Sequence, residues 1–225
     1  MKITTIEARD LSEAWFLGLR QVLDNGYEYH IERGSYAGQK RKELDYIQVK
    51  ITNPGNRPLT PDVPAGVPSP TTMEYIENYL PYLMTAKRAE GEQYTYGQFL
   101  EHQIAEVIRM YREEGFNTNQ AYMCVGDDRS IYLADPPCLR GIDTRVRYNS
   151  LHFVCYFRSW DLWAGFPSNL AAIQLLKEYI GSELGVEDGE IIAVSKGLHL
   201  YDYSWDLAKV ACGISEENQV NSSQS

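Results

Sequence analysis

Phe157-Arg158-Ser159-Trp160-Asp161-Leu162-Trp163-Ala164-Gly165-Phe166-Pro167-Ser168-Asn169 joins a strand-like run, Leu151 to Arg158, to a run with helical spacing, Leu170 to Leu184. Glycine and proline break the chain between the two, and Asn169 stands where a cap for the helix would. An arginine and a serine at a strand end suit a phosphate oxygen, one through a charge-assisted bond and the other through its hydroxyl. The turn then carries the amide of Asn169 to the start of the helix. Taken alone, the stretch reads more simply as an exposed arginine, an ordinary Ser-Asp turn and a capping asparagine.

On its C-terminal side, Ile191 to Tyr203 reads as one strand. Strand alternation puts His199, Tyr201 and Tyr203 on one face and Leu198 and Leu200 on the other. A histidine and a tyrosine two apart suit ribose hydroxyls, although a wet strand face accounts for them equally. Ser204 can cap a short helix that ends at Gly213. On the N-terminal side lie short strands at Gln120 to Val125 and Ile131 to Leu133. They follow a helix from Phe99 to Glu114 and another from Thr72 to Thr85 that Pro81 bends or interrupts. Six of the ten prolines fall between residues 54 and 70, which makes that stretch a long irregular loop. Leu44 to Thr52 alternates as a strand, and the basic cluster Lys40, Arg41, Lys42 falls in the loop before it. Leu11, Trp15, Phe16, Leu19, Val22 and Leu23 share one face of a first helix, opened by Asp10 or Ser12 and stopped by Gly26. Strands and helices mix without strict alternation, and there is no repeat. This predicts one α/β (α+β) domain over residues 1–213, with a mixed sheet packed by helices, and a polar, frayed tail over 214–225.

A chain of 225 residues with 44% hydrophobic and 23% charged residues can bury a core and is too apolar for disorder. Its 21 basic against 31 acidic side chains, a net charge of -10, argue against general nucleic-acid binding or an anionic membrane surface. They leave room for one basic pocket. No apolar run approaches the roughly 18 residues of a membrane span. The first residues lack a signal-peptide stretch, so the cytoplasm is expected. Cysteines 124, 138, 155 and 212 form no C-x-x-C pair and have no histidine at zinc-ligand spacing, so no metal is expected. The default for each is a buried, inert thiol. Cys138 stands apart, because Asp135-Pro136-Pro137 before it is stiff and extended, a rigid presentation for a nucleophile. Arg140 and Arg158 would favour its thiolate if the fold brings them close.

In this order, Pro136-Pro137-Cys138, Arg158-Ser159-x-Asp161 through Gly165-x-Pro167-x-Asn169, and His199-Leu200-Tyr201 resemble the motifs of the thymidylate synthase family. The resemblance covers residues 130 to 205, and the first hundred residues match in outline. It implies a methyltransferase in which the Cys138 thiolate adds to C6 of dUMP. C5 then takes a one-carbon unit from a reduced pterin, either methylene-tetrahydrofolate or a methanopterin analogue, to give dTMP. By the same resemblance Arg158 and Ser159 hold the 5'-phosphate, His199 and Tyr201 the deoxyribose hydroxyl, and Asn169 the O4 and N3–H edge of uracil. Asp161 lies toward the base and the pterin. Relatives that hydroxymethylate dCMP carry aspartate at the asparagine position, so Asn169 favours dUMP. Arg33 resembles the phosphate-loop arginine, and Glu74 and Glu77 both fit the helix that carries the family's glutamate.

Other family features are replaced. Asn119 and Gln120 stand where the partner subunit's two arginines are found, Gln98, Phe99 and Leu100 follow Tyr96-Gly97 in place of tryptophans, and Leu139 replaces a histidine. The C-terminal end is polar. The pattern resembles an archaeal, divergent branch, and it favours a monomer over a homodimer. Two alternatives stand beside it, a pyrimidine-nucleotide hydroxymethylase and a dUMP-binding protein without turnover.

Overall fold

A computed structural model describes residues 1–34, 36–88 and 90–214. The elements are β1 (Ile3–Ala8), α1 (Leu11–Asn25), β2 (Tyr27–His30), β3 (Lys40–Leu44), β4 (Tyr46–Ile51), α2 (Met73–Met84), α3 (Gly97–Glu114), β5 (Tyr122–Cys124), β6 (Leu139–Arg147), β7 (Ser150–Phe157), β8 (Trp160–Asp161), α4 (Gly165–Leu184), β9 (Glu187–Ser195), β10 (Leu198–Tyr201) and α5 (Trp205–Ala211). A six-stranded sheet runs β1-β4-β9-β7-β6-β5, with β1–β4 and β7–β9 parallel and the other pairs antiparallel. A four-stranded sheet runs β2-β3-β10-β8, parallel only between β10 and β8. The class is mixed α/β, with mixed sheets packed by helices.

The central strand β7 shows why one face is covered. Leu151, Phe153, Cys155 and Phe157 are fully buried, while Val154 and Tyr156 between them are exposed. On the covered face lies α4, which also touches α1, α2 and α3. Ala171, Ala172, Ile173, Leu176 and Ile180 bury it almost all round, as a helix in the middle of a core requires. One continuous cluster of buried side chains runs from Ile6 to Ala211. Among the described residues no helix is long and apolar enough to cross a membrane.

Several boundaries differ from the sequence reading. The basic cluster at 40–42 belongs to β3, because each cation finds a partner on another element: Lys40 on Glu28, Arg41 over the Tyr29 ring, and Lys42 over the Trp205 ring. The run Ile191 to Tyr203 is two strands in different sheets, β9 and β10, broken where Gly197 N donates to Ser195 Oγ at 3.1 Å. Residues 130–132 form a 3-10 turn closed on Asp127, not a strand. Pro81 lies inside α2 without stopping it. Ser204 does not cap α5, since its hydroxyl donates to Tyr201 O instead. Helix α4 begins at Gly165, so Asn169 is in its second turn and caps nothing. Residues 215–225 of the expected tail lie outside the described residues.

Trp15 on α1 fixes the turn that follows β8. Its fully buried indole donates to Leu162 O at 2.8 Å and to Trp163 O at 3.2 Å. Gly18, one turn along, lets Leu162 press against the helix backbone, because a Cβ there would lie 3.1 Å from Leu162 Cδ1. Trp15→Phe removes the donor and leaves buried carbonyls unpaired, so it should lower stability by about 2 kcal/mol in urea unfolding.

Candidate active site

Cys138 directly precedes β6, after a segment whose two prolines can donate no backbone bond. Arg158, at the end of β7, takes up that segment's acceptors. Its Nε lies 3.2 Å from both Pro136 O and Pro137 O, and its Nη2 reaches Pro136 O and, at 2.9 Å, Asp135 Oδ1. Its own backbone N–H donates to Cys138 O at 2.8 Å. The arginine thus holds the loop as well as placing a cation near the thiol. Arg140 does not join it, since its guanidinium lies against Gly126. Burial pushes the Cys138 thiol up, and Arg158 opposes that shift while Asp135 and Asp161 add to it.

A cavity of about 240 Å³ opens at Cys138 and is lined also by Arg158, Ser159, Asp161, His199 and Tyr201. The expected residues therefore converge, with Asn169 the exception. That residue lines an adjoining cavity of about 540 Å³, and Asp161 forms a wall of both. Arg33 and Arg41 line the first cavity too, so three arginines meet there in an acidic protein.

His199 is buried, and burial pushes its ring down to about 4, so it is neutral near pH 7. Nδ1 lies 2.9 Å from Gly197 O and must carry the proton. Nε2 is then a buried acceptor without a partner among the described residues, which calls for a hydroxyl or N–H from a ligand. Glu43, 3.9 Å from Nδ1, makes no ion pair with a neutral ring. Burial also raises the Tyr201 hydroxyl, which stays protonated. In the second cavity Asn169 Oδ1 accepts from Trp160 Nε1 at 3.1 Å, and Nδ2 donates to Tyr79 OH at 3.0 Å.

Tyr75 and Tyr79 of α2 face this second cavity with rings stacked at 6.2 Å, and Tyr79 stacks in turn on Tyr82 at 5.4 Å. Glu74 and Glu77 are exposed and line neither cavity. The sequence reading missed Tyr79 and Arg41. Pairing of β3 with β10 sets Arg41 opposite Tyr201, a relation visible only once Lys40 to Leu44 is read as a strand. Of the other cysteines, Cys155 is fully buried and pushed up to about 12, whereas Cys124 is exposed, against the expectation of burial. A groove of about 500 Å³ between Arg9 and Asp62 gathers neither cysteine nor histidine. Among the described residues no group of three His, Cys, Asp or Glu is placed to hold a metal ion.

Alkylation requires the thiolate, so the iodoacetamide rate at Cys138, followed by peptide mass spectrometry, should still be climbing above pH 9. Arg158→Gln removes the opposing cation and should move the midpoint higher. A lower midpoint in that variant would contradict the arrangement.

The family model for thymidylate synthase matches residues 88–221. A Methanosarcina mazei protein named "putative thymidylate synthase" is 30% identical over 210 residues, 91% of this chain and 92% of its own. One of the same name from Methanococcoides burtonii is 28% identical over 216 residues, 93% of this chain and 95% of its own. A thymidylate synthase of Listeria monocytogenes is 32% identical over 101 residues, 44% of this chain and 32% of its own. Motif order, the convergence of Cys138 with Arg158 and His199, and these matches together place the chain in the thymidylate synthase family.

Proposed function

We propose that the protein transfers a one-carbon unit from a reduced pterin to C5 of dUMP, giving dTMP, with Cys138 as the nucleophile. The observation that carries this reading is the single cavity in which a constrained cysteine, an arginine-serine pair and a neutral histidine with an open acceptor meet. The Cys138 thiolate adds to C6 of the uracil, and the electron pair of the C5–C6 double bond moves toward C5 and O4, making C5 nucleophilic. Arg158 and Ser159 bind the 5'-phosphate. His199 Nε2 accepts from the deoxyribose hydroxyl, and the protonated Tyr201 shares that hydroxyl. Asn169 presents its amide to O4 and N3–H across the wall formed by Asp161.

The second cavity suits a flat pterin, because Tyr75 and Tyr79 offer ring faces while Asp161 and Asn169 supply polar edges. When bound, the reduced pterin would supply the one-carbon unit at the methylene level and the hydride that takes it to methyl, while C5 gives up its proton and the Cys138–C6 bond breaks as dTMP leaves. Tyrosines here take the place of the tryptophans that the resemblance leads one to look for.

The phosphate charge is met within one chain. Asn119 and Gln120 lie exposed in the loop before β5, and Arg33 and Arg41 stand beside Arg158 instead. The protein is accordingly a monomer, or a dimer whose partner adds nothing to the site. Mixed Cys138→Ala and Arg158→Ala subunits should then show no more activity than either parent.

Incubation with 5-fluoro-dUMP and the pterin should give a covalent adduct by mass spectrometry, absent in Cys138→Ser and retained in Cys155→Ala. Tritium release from C5 of labelled dUMP separates turnover from mere binding, and the product mass separates methyl from hydroxymethyl. Arg41→Gln should weaken dUMP about tenfold or more while leaving deoxyuridine nearly unaffected. Equal losses for both ligands would mean that Arg41 does not meet the phosphate.

A further inference from the structure

We infer that Trp160 sets the base specificity of the site, by fixing which way the Asn169 amide faces. The inference rests on reading the site as a dUMP site. An amide has a donor end and an acceptor end, and a half-turn about its last bond exchanges them. A freely turning asparagine would therefore suit uracil, with O4 and N3–H, as well as cytosine, with its amino group and bare N3. Asparagine by itself discriminates only if that turn is blocked.

The indole Nε1–H can donate and can never accept. It stands 3.1 Å from Asn169 Oδ1. In the turned amide two N–H donors would confront each other at a partly buried place, leaving both unsatisfied. The indole is poorly placed to move away. Trp160 is 1% exposed and stacks on Phe157 at 4.0 Å and on Phe166 at 4.4 Å. At the other end of the amide the Tyr79 hydroxyl, 3.0 Å from Nδ2, can either accept or donate, so it would tolerate both orientations. The constraint comes from the indole alone. In the held orientation Oδ1 keeps a lone pair for N3–H, and Nδ2 keeps a hydrogen for O4. Cytosine would meet donor against donor and acceptor against acceptor.

The test is the ratio of dCMP to dUMP dissociation constants, measured by calorimetry on the intact protein without pterin. Trp160→Phe keeps an aromatic ring and removes the donor, and it should narrow the ratio by about ten- to a hundredfold, chiefly through tighter dCMP. Tyr79→Phe should leave the ratio in place. A ratio unchanged in Trp160→Phe, with both nucleotides weakened alike, would mean a structural role only and would overturn the inference while leaving the dUMP reading intact. Wild-type protein that binds no dUMP would overturn that reading and the inference with it. A collapse in Tyr79→Phe would assign the constraint to the hydroxyl and overturn it as well. If Trp160→Phe does not fold, the wild-type indole N–H signal in nitrogen-15 NMR takes its place. Slow solvent exchange maintained on adding dUMP supports the inference, and fast exchange in that complex overturns it.

Discussion

The carboxylate of Asp161 accepts three backbone N–H groups in succession, from Trp163 at 3.1 Å, Ala164 at 3.2 Å and Gly165 at 3.1 Å. The Gly165 N–H is one that the start of α4 leaves without a partner, and the other two belong to the turn just before it. Burial raises the carboxyl while the three bonds draw it down, so the side chain is held by the turn that it organises. From this point the chain runs back to Trp160, Ser159 and Arg158 and forward to Asn169. One turn therefore sets the spacing between Arg158 and Asn169, and Asp161 within it borders both cavities.

Cys138 is placed by a different device. A cysteine near the surface gains thiolate from solvent and loses rigidity, and a buried one does the reverse. Here two prolines and the grip of Arg158 on three consecutive residues supply rigidity, and the same guanidinium offsets part of the burial. Arg158 thus links the thiol and the loop. That coupling explains why the charge on the cavity is shared with Arg33 and Arg41: an arginine occupied with two carbonyls and a carboxylate has fewer donors left for a ligand.

Features carried by adjacent residues were legible in the sequence. The prolines singled out Cys138, and alternation put His199 and Tyr201 together on one cavity, whereas Asn169 lies on the adjoining one. Asn169 as a cap was a misreading with a clear cause. Gly165-Phe166-Pro167 looks like a break, yet a proline in the first turn gives up a hydrogen bond that no residue there could make. No side chain caps α4, and Asp161 instead holds the turn that leads into it, through Trp163, Ala164 and Gly165. What failed elsewhere was information held by partners distant along the chain. Lys40 to Lys42 look like loop residues until Glu28, Tyr29 and Trp205 are seen around them. Tyr79 and Arg41 belong to the same class, since only tertiary packing brings them to the cavities. β6 is missing from the sequence reading although its period is plain, with Ile142, Thr144 and Val146 turned inward and Asp143, Arg145 and Arg147 between them.

β10 has a consequence for synthesis on the ribosome. It lies between β3, near the N-terminus, and β8, so the strand that carries His199 and Tyr201 also joins the two walls of the cavity. Until residue 201 has left the exit tunnel, Arg41 and Cys138 belong to parts of the nascent chain with no strand between them. The thiol is then open to oxidants throughout that interval, and a message cut short before this codon yields a polypeptide that holds Cys138 without its pocket.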